Sequence, residues 1–178
     1  GIVFQTKEAM DFFPKSVRKK GVILPNSLNP RFIRERFEGE REKEIVAVGR
    51  LDDNKNHAML LEAFAEIKDD FPDYRVVIYG EGEDRSKLEK LIAERKLDGR
   101  VSLPGRTDKI EEKIYKSSLF VMTSDTEGMP NALIEAMSLG LCVISTDCPC
   151  GGPRELITPG KNGYLVPVRD TEALKEQL

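Results

Sequence analysis

E-I-V-A-V-G-R-L-D-D-N-K-N-H-A-M-L-L-E-A-F-A-E-I-K (residues 44–68) and the R-V-V-I-Y-G-E-G that follows at 75–82 decide the fold class. Ile45 to Val48 is an unbroken β-prone run that stops at Gly49. Residues 56–68 then set Met59, Leu60, Ala63, Phe64 and Ile67 on one helical face. Arg75 to Tyr79 repeats the β-prone run and stops at Gly80. Working toward the C-terminus, Leu88, Leu91 and Ile92 mark a helix, and Val101-Ser102-Leu103 a short strand closed by Pro104-Gly105. A helix through Ile110 and Ile114 and a strand from Leu119 to Met122 come next. A helix from Asn131 to Leu139 is stopped by Gly140, and Leu141 to Ile144 and Tyr164 to Val166 are further strands. Residues 171–178 begin a last helix. Strands that are apolar throughout, rather than alternating, are covered on both faces. Alternation with helices through short loops then predicts an α/β, Rossmann-like open parallel sheet flanked by helices.

Toward the N-terminus the pattern changes. Pro25-Asn26-Ser27-Leu28-Asn29-Pro30 reads as a turn or linker. Residues 1–40 carry eight Lys/Arg against five Asp/Glu, a solvated basic opening to a chain whose net charge is −3. That negative balance argues against nucleic acid as a partner. No apolar run approaches bilayer length, and three cysteines make no disulfide framework, so a cytoplasmic setting is expected. With His57 the single histidine, mechanisms that need several imidazoles are excluded.

Ligands of an open parallel sheet gather beyond the carboxyl ends of its strands, which draws attention to the residues just after each one. Arg50 and Lys55 stand five apart across a strand-to-helix turn after Gly49, a guanidinium fork and an ammonium suited to a diphosphate. Pairing with Asp52, Asp53 or Glu62 is the structural alternative. The phosphate-cradling pattern G-x-x-x-x-G-K-[ST] is absent. Gly80-Glu81-Gly82 begins as a dinucleotide fingerprint, but Arg85 stands where its third glycine belongs. What remains is a tight turn where lack of Cβ lets a ligand or backbone come close.

The segment S-D-T-E-G-M-P-N-A-L-I-E-A (124–136) carries two acids eight apart, Glu127 and Glu135. Pro130 suits the first turn of a helix, and Met129 before it has no oxygen with which to cap. The N–H groups of Asn131, Ala132 and Leu133 are therefore expected to stay open at the positive end of a helix, an anion site. Gly128 allows close approach, and the two carboxylates could accept sugar hydroxyls on either side of a diphosphate. The plainer alternatives are a loop acid for Glu127 and an exposed helix position for Glu135. Cys148 and Cys150 read as loop residues rather than metal ligands.

Together these motifs resemble the C-terminal, nucleotide-sugar-binding domain of the retaining glycosyltransferases called group 1 or family 4, which have the two-domain GT-B fold. The resemblance runs from about Val22 to Leu178, through L-P-N-S-L-N, V-G-R-L-D-D-N-K-N, Y-G-E-G, L-P-G-R-T-D, E-G-M-P-N-A-L-I-E-A and T-D-C-P-C-G-G-P-R-E-L-I with G-K-N-G-Y-L-V-P. It implies that Arg50 and Lys55, after Gly49, hold the donor diphosphate and stabilise the leaving nucleotide. Glu127 would bind hydroxyls of the transferred sugar, Gly128 to Leu133 (Gly128, Met129, Pro130, Asn131, Ala132, Leu133) would meet sugar and phosphate with backbone amides, and Glu135 would bind the ribose. Arg106 and Thr107 would lie along the base.

The implied reaction moves a sugar from a nucleoside diphosphate sugar, a UDP-sugar first, to an acceptor hydroxyl with retention. No cofactor and no metal are expected. Residues 1–30 are expected to be the interdomain linker and a remnant of the N-terminal domain. Residues 31–178 are expected to be the donor domain with its C-terminal helix truncated, so that turnover by this chain alone is not expected. The acceptor, a saccharide or lipid-linked saccharide, would be bound by the missing N-terminal domain, with peripheral contact at the inner membrane face. Alternatives on the same residues are a nucleotide-sugar epimerase or glycoside phosphorylase, a two-carboxylate glycoside hydrolase, and a non-catalytic nucleotide-binding module.

Overall fold

Two parallel sheets divide the computed structural model, which describes residues 1–178. The larger has six strands, β3 (Glu42–Val48), β4 (Arg75–Tyr79), β5 (Val101–Gly105), β6 (Ser117–Met122), β7 (Cys142–Thr146) and β8 (Tyr164–Val166), in the spatial order β5-β4-β3-β6-β7-β8. Every pairing in it is parallel. Counted from β3, this is the doubly wound order 3-2-1-4-5-6, and the chain reverses direction across the sheet between β3 and β6. The expected Rossmann-like sheet is the one observed.

Alternate residues of each strand serve opposite layers. Ile45, Ala47, Val76, Ile78, Val121 and Ile144 pack under α3 (His57–Ile67), α4 (Arg85–Glu94) and α8 (Thr171–Gln177), whose Phe64, Leu88 and Leu174 are buried there. Val46, Val77, Phe120 and Val143 face the other way, onto Ile114 of α5 (Ile110–Ile114) and Leu133 and Ala136 of α6 (Asn131–Ser138). Both faces are thus dry, which is why the strands carry no polar alternation. Phe32, in a 3-10 turn over Pro30–Phe32, inserts into the second layer at 3% exposure. Burial of that ring is worth about 1.5–3 kcal/mol and ties the segment between the two sheets to the larger one.

The smaller sheet is β1 (Ile2–Phe4) paired with β2 (Gly21–Ile23), joined through α1 (Lys7–Asp11) and α2 (Lys15–Arg18). Three-residue strands carry no readable period, so the sequence pattern marks neither of them. Val3, Val22 and Leu24 are more than half exposed. A short helix, α7 (Gly152–Leu156), occupies the Gly-Gly-Pro stretch that otherwise reads as loop. No helix is long and apolar enough to cross a membrane.

Candidate functional site

The point where β3 and β6 diverge is a crevice by topology, and the loops leaving these two strands are stitched together across it. The Asp125 N–H donates to the Asn54 carbonyl at 2.8 Å, Asn54 Nδ2 to the Thr126 carbonyl at 3.1 Å, and Thr123 Oγ1 to the Lys55 carbonyl at 2.9 Å. Lys55 Nζ forms an ion pair with Glu127, with their side chains 21% and 14% exposed. The sequence proposed both residues for one site, and the structure joins them directly.

On the other side of Gly49 lies a cleft of about 340 Å³ at the carboxyl ends of β3, β4 and β5. Its walls include Gly49, Arg50, Glu81, Arg106, Thr107 and Asp108. Gly49 belongs to both halves of the site, because a Cβ there would stand 3.2 Å from Cδ of Lys55. Arg50 projects to solvent, 71% exposed, and pairs with Asp52 at 3.1 Å, so at rest it occupies the alternative partner named from sequence.

The glycines after β4 are required by backbone rather than by ligand. A Cβ on Gly80 would lie 1.7 Å from the Gly49 carbonyl oxygen, and one on Gly82 2.2 Å from that of Leu51. Leu51 N–H donates to the Glu81 carbonyl at 3.1 Å and Asp84 N–H to the Leu51 carbonyl at 2.9 Å, so the two turns brace each other. Arg85 explains the departure from a dinucleotide fingerprint. Its guanidinium grips Glu81 at 2.6 and 2.9 Å and the Leu103 carbonyl at 3.1 Å, closing the turn where a third glycine would leave room for a pyrophosphate.

The helix after Glu127 starts at Asn131, as the sequence predicts, but its cap lies one residue later than expected. Pro130, with ψ 109°, is the extended N-cap residue rather than the first helical one, and Met129 lies outside the helix. The physical reason is that both backbone groups of Met129 are held elsewhere: its N–H by Gln5 Oε1 at 3.3 Å and its carbonyl by Asn26 Nδ2 at 2.9 Å. The consequence expected of the start is unchanged. The first intrahelical bond runs from Ile134 N–H to the Pro130 carbonyl at 3.2 Å, and no side chain caps the amides of Asn131, Ala132 and Leu133. Three N–H groups at the positive end of the helix are open to an anion.

Glu135 sits half-buried on α6 without an ion-pair partner within 4.0 Å. Burial, and then the carboxylate of buried Glu111, hold its pKa above the usual range. Arg34 approaches Glu111 at 3.8 Å. An acid left short of donors in this way is a ready acceptor for hydroxyl groups. Burial also pushes the Cys148 thiol up to about 11, so that residue is an inert loop side chain.

Asp108 and the Asn54–Asp125 bonding have no role in the sequence reading, and Glu81 enters it only as part of the turn after β4. Glu81 lay in plain view inside the Gly80-Glu81-Gly82 turn, whereas the cross-loop bonds join residues about 70 positions apart and leave no local signature.

The family described as "Glycosyl transferases group 1" matches residues 29–178. An uncharacterized glycosyltransferase of Methanocaldococcus jannaschii is 33% identical over 174 residues, covering 90% of this chain and 43% of its own. From Campylobacter jejuni, N-acetylgalactosamine-N,N'-diacetylbacillosaminyl-diphospho-undecaprenol 4-alpha-N-acetylgalactosaminyltransferase is 36% identical over 138 residues, 78% of this chain and 37% of its own. The chain therefore spans roughly two fifths of the length of these relatives. Among solved structures, S. aureus TarM in complex with fondaparinux, alpha-GlcNAc-glycerol and UDP superposes with a TM-score of 0.87 at 23% identity, covering 99% of this chain and 36% of TarM.

Proposed function

This chain belongs to the group 1 glycosyltransferases, and from that premise we propose that it is the donor-binding part of an enzyme that transfers a sugar from a nucleoside diphosphate sugar, UDP-sugar first, to an acceptor hydroxyl with retention. The observation that carries the reading is the uncapped N-terminus of α6 placed directly after the Lys55–Glu127 pair at the switch point of the sheet. Three open amides and an ammonium make a place for a diphosphate, and the adjoining cleft offers room for a nucleoside. UDP in the TarM structure agrees with that choice of nucleotide.

In this reading Arg50 and Lys55 offset the negative charge that grows on the departing diphosphate, and the α6 amides do the same without needing to reorganise. Their positive charge stands in for a metal ion, so transfer proceeds with neither metal nor cofactor. Glu127, oriented by Lys55, accepts hydrogen bonds from hydroxyls of the transferred sugar. Glu135 accepts those of the ribose, and Arg106 and Thr107 lie along the base.

Residues 31–178 form the donor unit, with Phe32 as its first core residue. Residues 1–30 are the linker and the end of an acceptor-binding domain. Two isolated parallel strands with exposed apolar residues do not make a stable sheet, which supports a larger sheet that they complete. The acceptor is a saccharide or lipid-linked saccharide, and the enzyme works in the cytoplasm or peripherally at the inner membrane face.

Isothermal titration of the folded chain with UDP should give saturable heat, with GDP and ADP as comparators. A flat titration with all three ends the donor reading. Glu135→Gln keeps the shape but weakens acceptance from the ribose, so UDP affinity should fall about fivefold, a loss of ~1 kcal/mol. Stability should stay within about 1 kcal/mol of wild type by urea denaturation, since the residue carries no ion pair.

A further inference from the structure

Gly128, Met129 and Pro130 form the turn that delivers the chain into α6, and its orientation is set by side chains that do not belong to the six-stranded sheet. Gln5 Oε1 accepts the Met129 N–H at 3.3 Å. Asn26 Nδ2 donates to the Met129 carbonyl at 2.9 Å and to Asn131 Oδ1 at 2.8 Å. The two amides are themselves joined, Gln5 Nε2 to Asn26 Oδ1, at 2.6 Å. Met129 has no polar side chain, so both of its backbone dipoles are held by this pair alone.

The fit around the turn is close on both sides. A Cβ on Gly128 would stand 2.6 Å from Gln5 Oε1, and one on Gly152 would stand 1.7 Å from the Gly128 carbonyl oxygen. The turn is wedged between the Gln5 amide and the α7 loop. Gln5 follows β1 directly and Asn26 lies three residues after β2, so both are carried by the small parallel sheet and its exit. The peptide that precedes the open amides of α6 is thus aimed from outside the domain that contains them.

We infer that Asn26 and Gln5 are positioning residues for the anion-binding turn: by fixing the Met129 peptide they hold the α6 N-terminus in the orientation that receives the donor diphosphate. This rests on the reading of that helix end as the phosphate site. Neither residue needs to touch the nucleotide. Asn26 has the larger share, because its amide alone reaches both Met129 and Asn131.

The test compares wild-type chain with Asn26→Ala and Gln5→Ala, using UDP and uridine as probes and amide hydrogen exchange on the ligand-free proteins. Gln5 is exposed, so its variant leaves the core untouched and serves should Asn26→Ala fold poorly. UDP affinity should fall about tenfold in Asn26→Ala and about threefold in Gln5→Ala, a smaller loss because only the longer 3.3 Å bond to the turn is removed. Uridine, which lacks the diphosphate, should bind all three proteins equally. Exchange at Met129 should quicken in both variants. UDP affinity equal to wild type in both, or uridine weakened as much as UDP, overturns the proposal. If wild type gives no response to UDP the donor reading fails, and Met129 exchange then decides the clamp alone, unchanged rates in the variants refuting it.

Discussion

Lys55→Met should lower sugar transfer by the enzyme carrying this chain about 100-fold, the range typical of removing one electrostatic contact to a charge that develops in the transition state. Methionine keeps most of the stem that packs beside Gly49 and deletes only the ammonium. Two losses then coincide. In the proposed donor site the diphosphate would lose a cation on the side where charge accumulates, and Glu127 loses its ion-pair partner. The second loss is also structural. Removing one member of a fully buried pair costs ~3–5 kcal/mol, and because water still reaches both of these side chains the cost here should be about 1–2 kcal/mol. Lys55→Arg, which retains charge but presents a planar fork, should fall between the two, since the geometry at Glu127 suits a point charge. Initial rates with a radiolabelled UDP-sugar, at saturating and limiting donor, check this. Activity within threefold of wild type for Lys55→Met would remove that residue from the donor site.

The same pair shows what the sequence conveys and where it falls silent. That Lys55 and Glu127 share a site could be expected from two loops at the carboxyl ends of two strands of one sheet. That they form an ion pair depends on β3 and β6 being neighbours, a fact of strand order that local pattern does not contain. Strand identity was readable because parallel strands are apolar on both faces, yet boundaries slipped where tertiary position overrides punctuation. Pro104 and Gly105, taken as the end of a strand, lie within β5, which is an edge strand and tolerates a missing N–H on its open side. Residues 1–24 gave little, because strands of three residues fall below the length at which periodicity exists. Gln5 and Asn26 were invisible as contributors for a different reason: the Met129 groups they hold are more than 100 positions away, and a lone side-chain amide has no pattern of its own.

His57 gives the protein an acid limit, and the prediction is that stability falls by about 3 kcal/mol between pH 7 and pH 4 through this one residue. Its Nε2–H donates to the Arg50 carbonyl at 3.1 Å, which leaves Nδ1 as a buried lone pair with no partner. Burial holds the ring pKa down to about 4, against 6.5 for an exposed imidazole; the Arg50 carbonyl opposes that shift, and the Lys55 charge adds to it. Above pH 6.5 the ring is neutral in folded and unfolded chains alike, so it contributes no pH dependence there. Between 6.5 and 4 the unfolded chain takes up a proton that the fold refuses, and each unit costs about 1.4 kcal/mol. Below 4 both forms are protonated and the loss levels off. Asp11, Asp53, Asp73 and Glu81, whose pKa values are lowered by cationic partners, also lose stability in acid, but they are solvent-exposed and contribute little each. Urea denaturation of wild type and His57→Gln at pH 7, 6, 5 and 4.5 separates the two sources. Glutamine retains a donor for the Arg50 carbonyl and does not titrate, so the variant should be nearly flat where wild type slopes. The consequence reaches the site, because the carbonyl that His57 anchors belongs to the turn carrying both Arg50 and Lys55. UDP affinity of wild type should therefore weaken below pH 5 in step with stability and hold in His57→Gln, whereas parallel slopes in the two proteins would assign the acid loss to the carboxylates.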